Sequence, residues 1–176
     1  GSCFPKDVKA ITGFATSIGA KTPLLDAVLS INNERASKIL SLSKKILKDY
    51  NSKKVVILGL AFKPDTDDMR SSPAIEVIKK LQNENIEIHA YDPKITEQNL
   101  KLIGITNIVL HKTIEDSIEN SDLIILLTKW TEFKNITGEF LKKYMKIPKI
   151  IDGRGFLDKR NFEKNTYYKI GLNEKN

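Results

Sequence analysis

Between residues 23 and 50 the apolar positions recur at steps of three and four. Leu24, Val28, Ile31, Ile39, Leu42 and Ile46 form one stripe, with Arg35 at the skipped position, and no Gly or Pro follows Pro23. That period predicts one long amphipathic helix. At 1.5 Å per residue it is roughly 40 Å long, more than a small core needs, so part of its stripe calls for a second surface. Lys44, Lys45 and Lys48 are expected at the edges of the stripe or in solvent.

From Lys53 onward the pattern changes. Residues 55–62, VVILGLAF, read as a buried strand, β-branched and apolar on both faces. A polar loop, KPDTDDMRSS, leads to a helix over 73–85, with Pro73 in its first turn and Ser72 as N-cap. Then come a strand at 86–92, a helix at 96–102, a short strand at 107–110, a helix near 113–119, a buried strand at 122–128, a helix at 137–144 and a last strand at 149–154. Strands alternating with helices predict an α/β fold, a Rossmann-like parallel sheet with helices on both faces following the long central helix. The Lys/Asn-rich tail, 158–176, reads as loosely packed. Ahead of the long helix lie a short one, over about 6–16, and a loop marked by Gly13, Gly19 and Pro23. The organisation is thus 1–22, 23–51 and 52–176.

Composition narrows the function. The chain has 176 residues, 40% apolar and 29% charged, as in an ordinary globular domain. No apolar run approaches the roughly 20 residues of a membrane span, and no secretory leader is visible. One Cys and two His at unrelated positions, His89 and His111, argue against a metal site and point to a reducing, cytoplasmic setting. The net charge is +7, concentrated in residues 35–54, where seven basic side chains face only Asp49. Without aromatic interleaving or a helix-turn-helix or zinc-finger spacing, this reads as a solvated helix face rather than a nucleic-acid surface.

Four places carry candidate chemistry. Cys3 lies just before a helix opened by Pro5, with Lys6 three residues on. A helix N-terminus and a cation both favour a thiolate, and Asp7 is near enough in sequence to act on a proton or water. A small buried hydrophobe is the equal alternative. Phe62–Ser72 offers Lys63, Arg70, Thr66, Ser71 and Ser72 where a strand ends and a helix begins, an anion-binding arrangement. Neither a P-loop nor a dinucleotide fingerprint is present, since Gly59 stands alone. Asp65, Asp67 and Asp68 suggest a metal less than pairing with Arg70 or a turn. Asp92 ends a strand where dinucleotide folds place a ribose ligand, although the YDP tripeptide also suits a turn. Asp152, Gly153 and Arg154 end the last strand, with Arg154 suited to a phosphate. Trp130 reads as a cap on the sheet edge.

In their order, GSCFPKD, INNER within the long helix, GLAFKPDTDDMRSSP, YDP, TKWTEF and IIDGR resemble the UDP-glucose/GDP-mannose dehydrogenase family over residues 1–157. The resemblance implies a carboxyl-terminal portion starting at the catalytic Cys loop. The family's amino-terminal NAD-binding domain would precede it and is absent here. It implies Cys3 as the nucleophile that holds the sugar's C6, and Asp7 as the residue that helps activate water. It implies Lys6 and Arg70 as contacts to the cofactor NAD. Phe4, Phe62, Lys63 and Arg154 then contact UDP-glucose. The long helix matches the family's dimer-forming helix, although Arg35 replaces the Gln that many relatives place after Asn32. Two NAD-linked oxidations to UDP-glucuronate are the implied reaction, and the chain alone would be inactive. Its partners would be UDP-glucose and a second copy, without nucleic acid or membrane. The rival readings are a GDP-mannose 6-dehydrogenase and a non-catalytic nucleotide-sugar-binding module.

Overall fold

The computed structural model describes residues 3–171, with Cys3 described by its backbone alone. Helix α1 spans Cys3–Ser17 and α2 spans Pro23–Leu47. The sheet is built from β1 (Lys53–Leu58), β2 (Ile86–Tyr91), β3 (Val109–Leu110), β4 (Leu123–Leu126), β5 (Ile150–Asp152) and β6 (Tyr167–Lys169). Between them lie α3 (Pro73–Leu81), α4 (Glu97–Leu102), α5 (Ile114–Ile118) and α6 (Gly138–Tyr144). All pairings are parallel, in the order β3-β2-β1-β4-β5-β6. The order reverses between β1 and β4, which in open α/β sheets is where ligands bind, outside the carboxyl ends of the strands.

The apolar sequence of the central strands is explained by burial on both faces. Val55 to Leu58 in β1 and Leu123 to Leu126 in β4 have no solvent exposure. Helices α2 and α3 pack together over one face, and α5 and α6 lie together over the other. Ser72 caps α3 as expected, accepting from the Ala74 N–H at 3.2 Å, with Pro73 in the first turn.

Several boundaries move for identifiable reasons. The first strand stops at Leu58 because Gly59 takes φ +87°, and a Cβ there would sit 2.5 Å from Thr128 Cβ. Only glycine fits that conformation and that space. The third helix ends at Leu81, with the Gln82 N–H bonded to the Ile78 carbonyl. Helix α2 ends at Leu47, where Lys48 turns to φ 69°. Helix α1 is longer than expected and begins at Cys3, so Pro5 is its third residue, where the missing N–H costs no helical bond. The tail up to residue 171 is not loose, since β6 joins the sheet edge beside β5, while 172–176 lie outside the described residues.

The long helix divides into two halves. Ala36, Ile39, Ser43, Ile46 and Leu47 are buried, and Leu42 packs against the core. Leu24, Val28 and Ile31 are exposed, at 76%, 47% and 51%. Two contacts fix its direction. Ile39 lies beside Gly153 at the carboxyl end of β5, and the Ile46 carbonyl accepts from Lys149 Nζ at the amino end. Helix α2 therefore runs antiparallel to the strands. Residues 23–35 overshoot the carboxyl edge by about 20 Å at 1.5 Å per residue, and α1 packs on α2.

Candidate functional site

The candidate residues of the third zone gather along the carboxyl edge. After Leu58 the chain turns down at Gly59, and its next two residues are pinned by Asp92, the residue that follows β2. Asp92 Oδ2 accepts from the Leu60 and Ala61 N–H groups at 2.8 and 3.0 Å and from Trp130 Nε1 at 3.0 Å. Its Oδ1 accepts from the Lys94 N–H at 3.0 Å. Asp92 is 4% exposed, and its lone pairs are committed to the protein. It is thus a structural anchor for the loop that follows, rather than a ribose ligand. Trp130 is the indole that completes this anchor, more than a cap on the edge.

From that anchored start project Phe62, half-buried, and Lys63, exposed, whose ammonium lies 5.5 Å from the Phe62 ring centroid. The loop folds back on itself through the Phe62 N–H to the Asp68 carbonyl, 3.0 Å. Asp68 holds Arg70 in a fork: Nε to Oδ1 at 3.0 Å and Nη2 to Oδ2 at 2.9 Å. Hydrogen bonding from Arg70 lowers the Asp68 pKa, and Asp68 raises that of Arg70. The Asp68–Arg70 pair accounts for part of the acidic run. No group of three or more metal-ligating side chains occurs among the described residues.

A second buried carboxylate repeats the arrangement at β5. Asp152, fully buried, accepts from the Arg154 N–H at 2.9 Å through Oδ1. Its Oδ2 accepts from the Phe156 and Leu157 N–H groups at 2.7 and 2.9 Å and from the Tyr167 hydroxyl at 2.9 Å. Arg154 itself is exposed. The two expected anion ligands of the sheet, Lys63 and Arg154, therefore stand on loops that buried carboxylates hold rigid on the same edge. Exposed cations on backbone held in this way suit a phosphate group.

The amino-terminal candidates sit on α1. Phe4, Lys6 and Asp7 are exposed, Phe4 at 77%. Cys3 opens the helix one turn before Asp7, and its side chain lies outside the described residues. Among the described residues no hydrogen bond joins Phe4, Lys6 or Asp7 to the loops of Lys63 and Arg154.

His89 and His111, unrelated in sequence, meet in space. His89 Nδ1 and His111 Nε2 are 2.7 Å apart and the rings are stacked. Burial first, then Lys54 and His111, push the His89 pKa down to about 4. The single β2–α4–β3 crossover puts His89 on β2 beside His111, which directly follows the adjacent parallel strand β3, and no local spacing reveals this.

With this geometry in hand, comparison with known proteins places the fold in a family. The UDP binding domain of the UDP-glucose/GDP-mannose dehydrogenase family matches residues 56–159, and the chain belongs to that family. It is 32% identical over 174 residues to the UDP-glucose 6-dehydrogenase of Rickettsia felis, covering 97% of this chain and 39% of that protein. Against UDP-glucose 6-dehydrogenase YwqF of Bacillus subtilis it is 33% identical over 173 residues, covering 97% and 39%. A UDP-glucose dehydrogenase structure from Pyrobaculum islandicum superposes with a TM-score of 0.82 at 27% identity, covering 96% of this chain and 37% of the other. A UDP-D-ManNAc dehydrogenase from Pyrococcus horikoshii gives 0.81 at 27%, covering 97% and 38%. The chain spans about two fifths of the length of these curated relatives. No described helix is long and apolar enough to cross a membrane.

Proposed function

We propose that the chain is the UDP-binding and dimer-forming portion of a UDP-glucose 6-dehydrogenase, and that the diphosphate lies at the carboxyl edge between Lys63 and Arg154. The observation that carries this reading is that each cation stands on backbone held by a buried carboxylate: Asp92 accepts from the Leu60 and Ala61 N–H groups just before Lys63, and Asp152 accepts from the Arg154 N–H. Phe62 contributes an aromatic face beside Lys63.

By resemblance, Cys3 forms the thioester with the sugar's C6 carbon. Asp7 takes a proton from the water that attacks that carbon, and the thiolate leaves as the acid is released. Phe4 contacts the sugar nucleotide. Positions 3 and 7 lie one helical turn apart on α1, compatible with action on one reacting carbon.

The sheet does not fit NAD as its principal cradle. Gly59 contacts Thr128 where a pyrophosphate loop would need open backbone, and Asp92 is already satisfied by four N–H groups. Lys6 and Arg70 are exposed cations suited at most to the rim of a dinucleotide held elsewhere. The two NAD-linked oxidations therefore belong to the larger enzyme.

The overshooting half of α2 supports the homodimer. Leu24, Val28 and Ile31 expose an apolar stripe that a second copy would cover.

Calorimetric titration with UDP-glucose, GDP-mannose and UDP-N-acetylglucosamine tests the ligand. UDP-glucose is expected to bind most tightly. A preference for GDP-mannose would move the chain to the other branch of the family.

A further inference from the structure

We propose that Tyr167, on the last strand, is a positioning residue for Arg154, so that β6 is part of the nucleotide-sugar site. The inference rests on the reading that Arg154 holds phosphate. Its own support is a chain of contacts from the sheet edge to the backbone that carries Arg154.

Asp152 Oδ2 receives three donors. Two, the Phe156 and Leu157 N–H groups, come from the turn that carries Arg154, and the third is the Tyr167 hydroxyl. The other oxygen receives the Arg154 N–H. Rotation of the carboxylate would therefore disturb every bond that shapes residues 154–157, and the phenol is its one side-chain restraint among the described residues. Burial, followed by the bond to Asp152, raises the Tyr167 pKa, so the phenol stays a donor at neutral pH.

Strand β6 holds the same turn at a second point. Gly155 takes φ +59°, and a Cβ there would come within 2.5 Å of Lys169 Cε. The Lys169 side chain thus lies directly over the turn. Phe162 stacks on the Tyr167 ring at 5.1 Å and fixes its orientation. Plain closure of a sheet edge needs only the backbone ladder between β5 and β6. The phenol and Lys169 contacts go beyond that ladder and converge on residues 152–155.

Tyr167→Phe removes one hydroxyl from a partly buried edge position and leaves the ring in place. UDP affinity by calorimetry is expected to fall about three- to tenfold, on the scale of one hydrogen bond. In an Arg154→Ala chain the same change is expected to have no further effect, because positioning acts only through Arg154. Hydrogen exchange at the Arg154, Phe156 and Leu157 amides is expected to quicken, with β1 and β4 unchanged. Equal loss of UDP affinity with and without Arg154 would overturn the proposal, as would unaltered exchange at those amides. If the parent chain fails to bind UDP, the reading of the site fails, and the exchange measurement still decides whether Tyr167 orders the turn.

Discussion

Trp130 donates its indole N–H to Asp92 Oδ2 across 3.0 Å, tying the segment after β4 to the end of β2 behind the loop of Phe62 and Lys63. The bond explains why a tryptophan stands at the carboxyl edge of this sheet and why the acid beside it is not available to a ligand.

Removing that acid leaves the Leu60, Ala61 and Trp130 N–H groups without their acceptor in a buried place. Each such group costs about 1–3 kcal/mol. Asp92→Ala is therefore expected to lose about 3 kcal/mol or more in urea unfolding. Trp130→Phe leaves Asp92 its backbone donors and is expected to lose about 1–2 kcal/mol. Equal stability of Asp92→Ala and the parent would contradict the anchor.

The histidine pair gives a pH dependence of defined sign. His89 has its folded pKa pushed down to about 4, below the ordinary 6.5, and that of His111 is also lowered, mainly by burial. The unfolded chain then binds more protons in this window, so stability falls as pH drops from about 6.5 toward 4. Lys54 opposes protonation, while Glu87, 3.9 Å from His89 Nε2, favours it only weakly at that distance. His89→Gln is expected to flatten the dependence in urea unfolding at pH 4.5 and 7. An unchanged slope would show that other groups set it.

A dimer through α2 must use the half that its own sheet leaves bare. Leu42 is unsuitable as a probe because it packs on the core. Val28→Lys and Ile31→Lys alter exposed positions and are expected to give a folded monomer by light scattering and circular dichroism. A parent chain that is monomeric at tens of micromolar would remove the dimer.

The alternation of strands and helices and the Ser72–Pro73 cap were legible because each rests on local pattern. The sixth strand was not: Tyr167–Lys169 is three residues long in a polar tail, and its pairing depends on β5, far from it in sequence. The sequence placed Asp92 and Asp152 at strand ends without distinguishing ligand from anchor, since the same residue type serves both. Only the identity of their donors separates the two roles. The split of α2 was likewise hidden, because one continuous stripe covers a buried half and an exposed half.

Calorimetric titration of UDP into the parent chain, Lys63→Ala and Arg154→Ala most directly tests the placement of the nucleotide at the carboxyl edge. The parent is expected to bind, and each substitution to weaken binding by about 1.5–3 kcal/mol, the worth of a hydrogen bond to a charged group. All three chains should show unchanged urea unfolding, since both side chains are exposed. UDP binding of parental affinity in both variants would contradict the site.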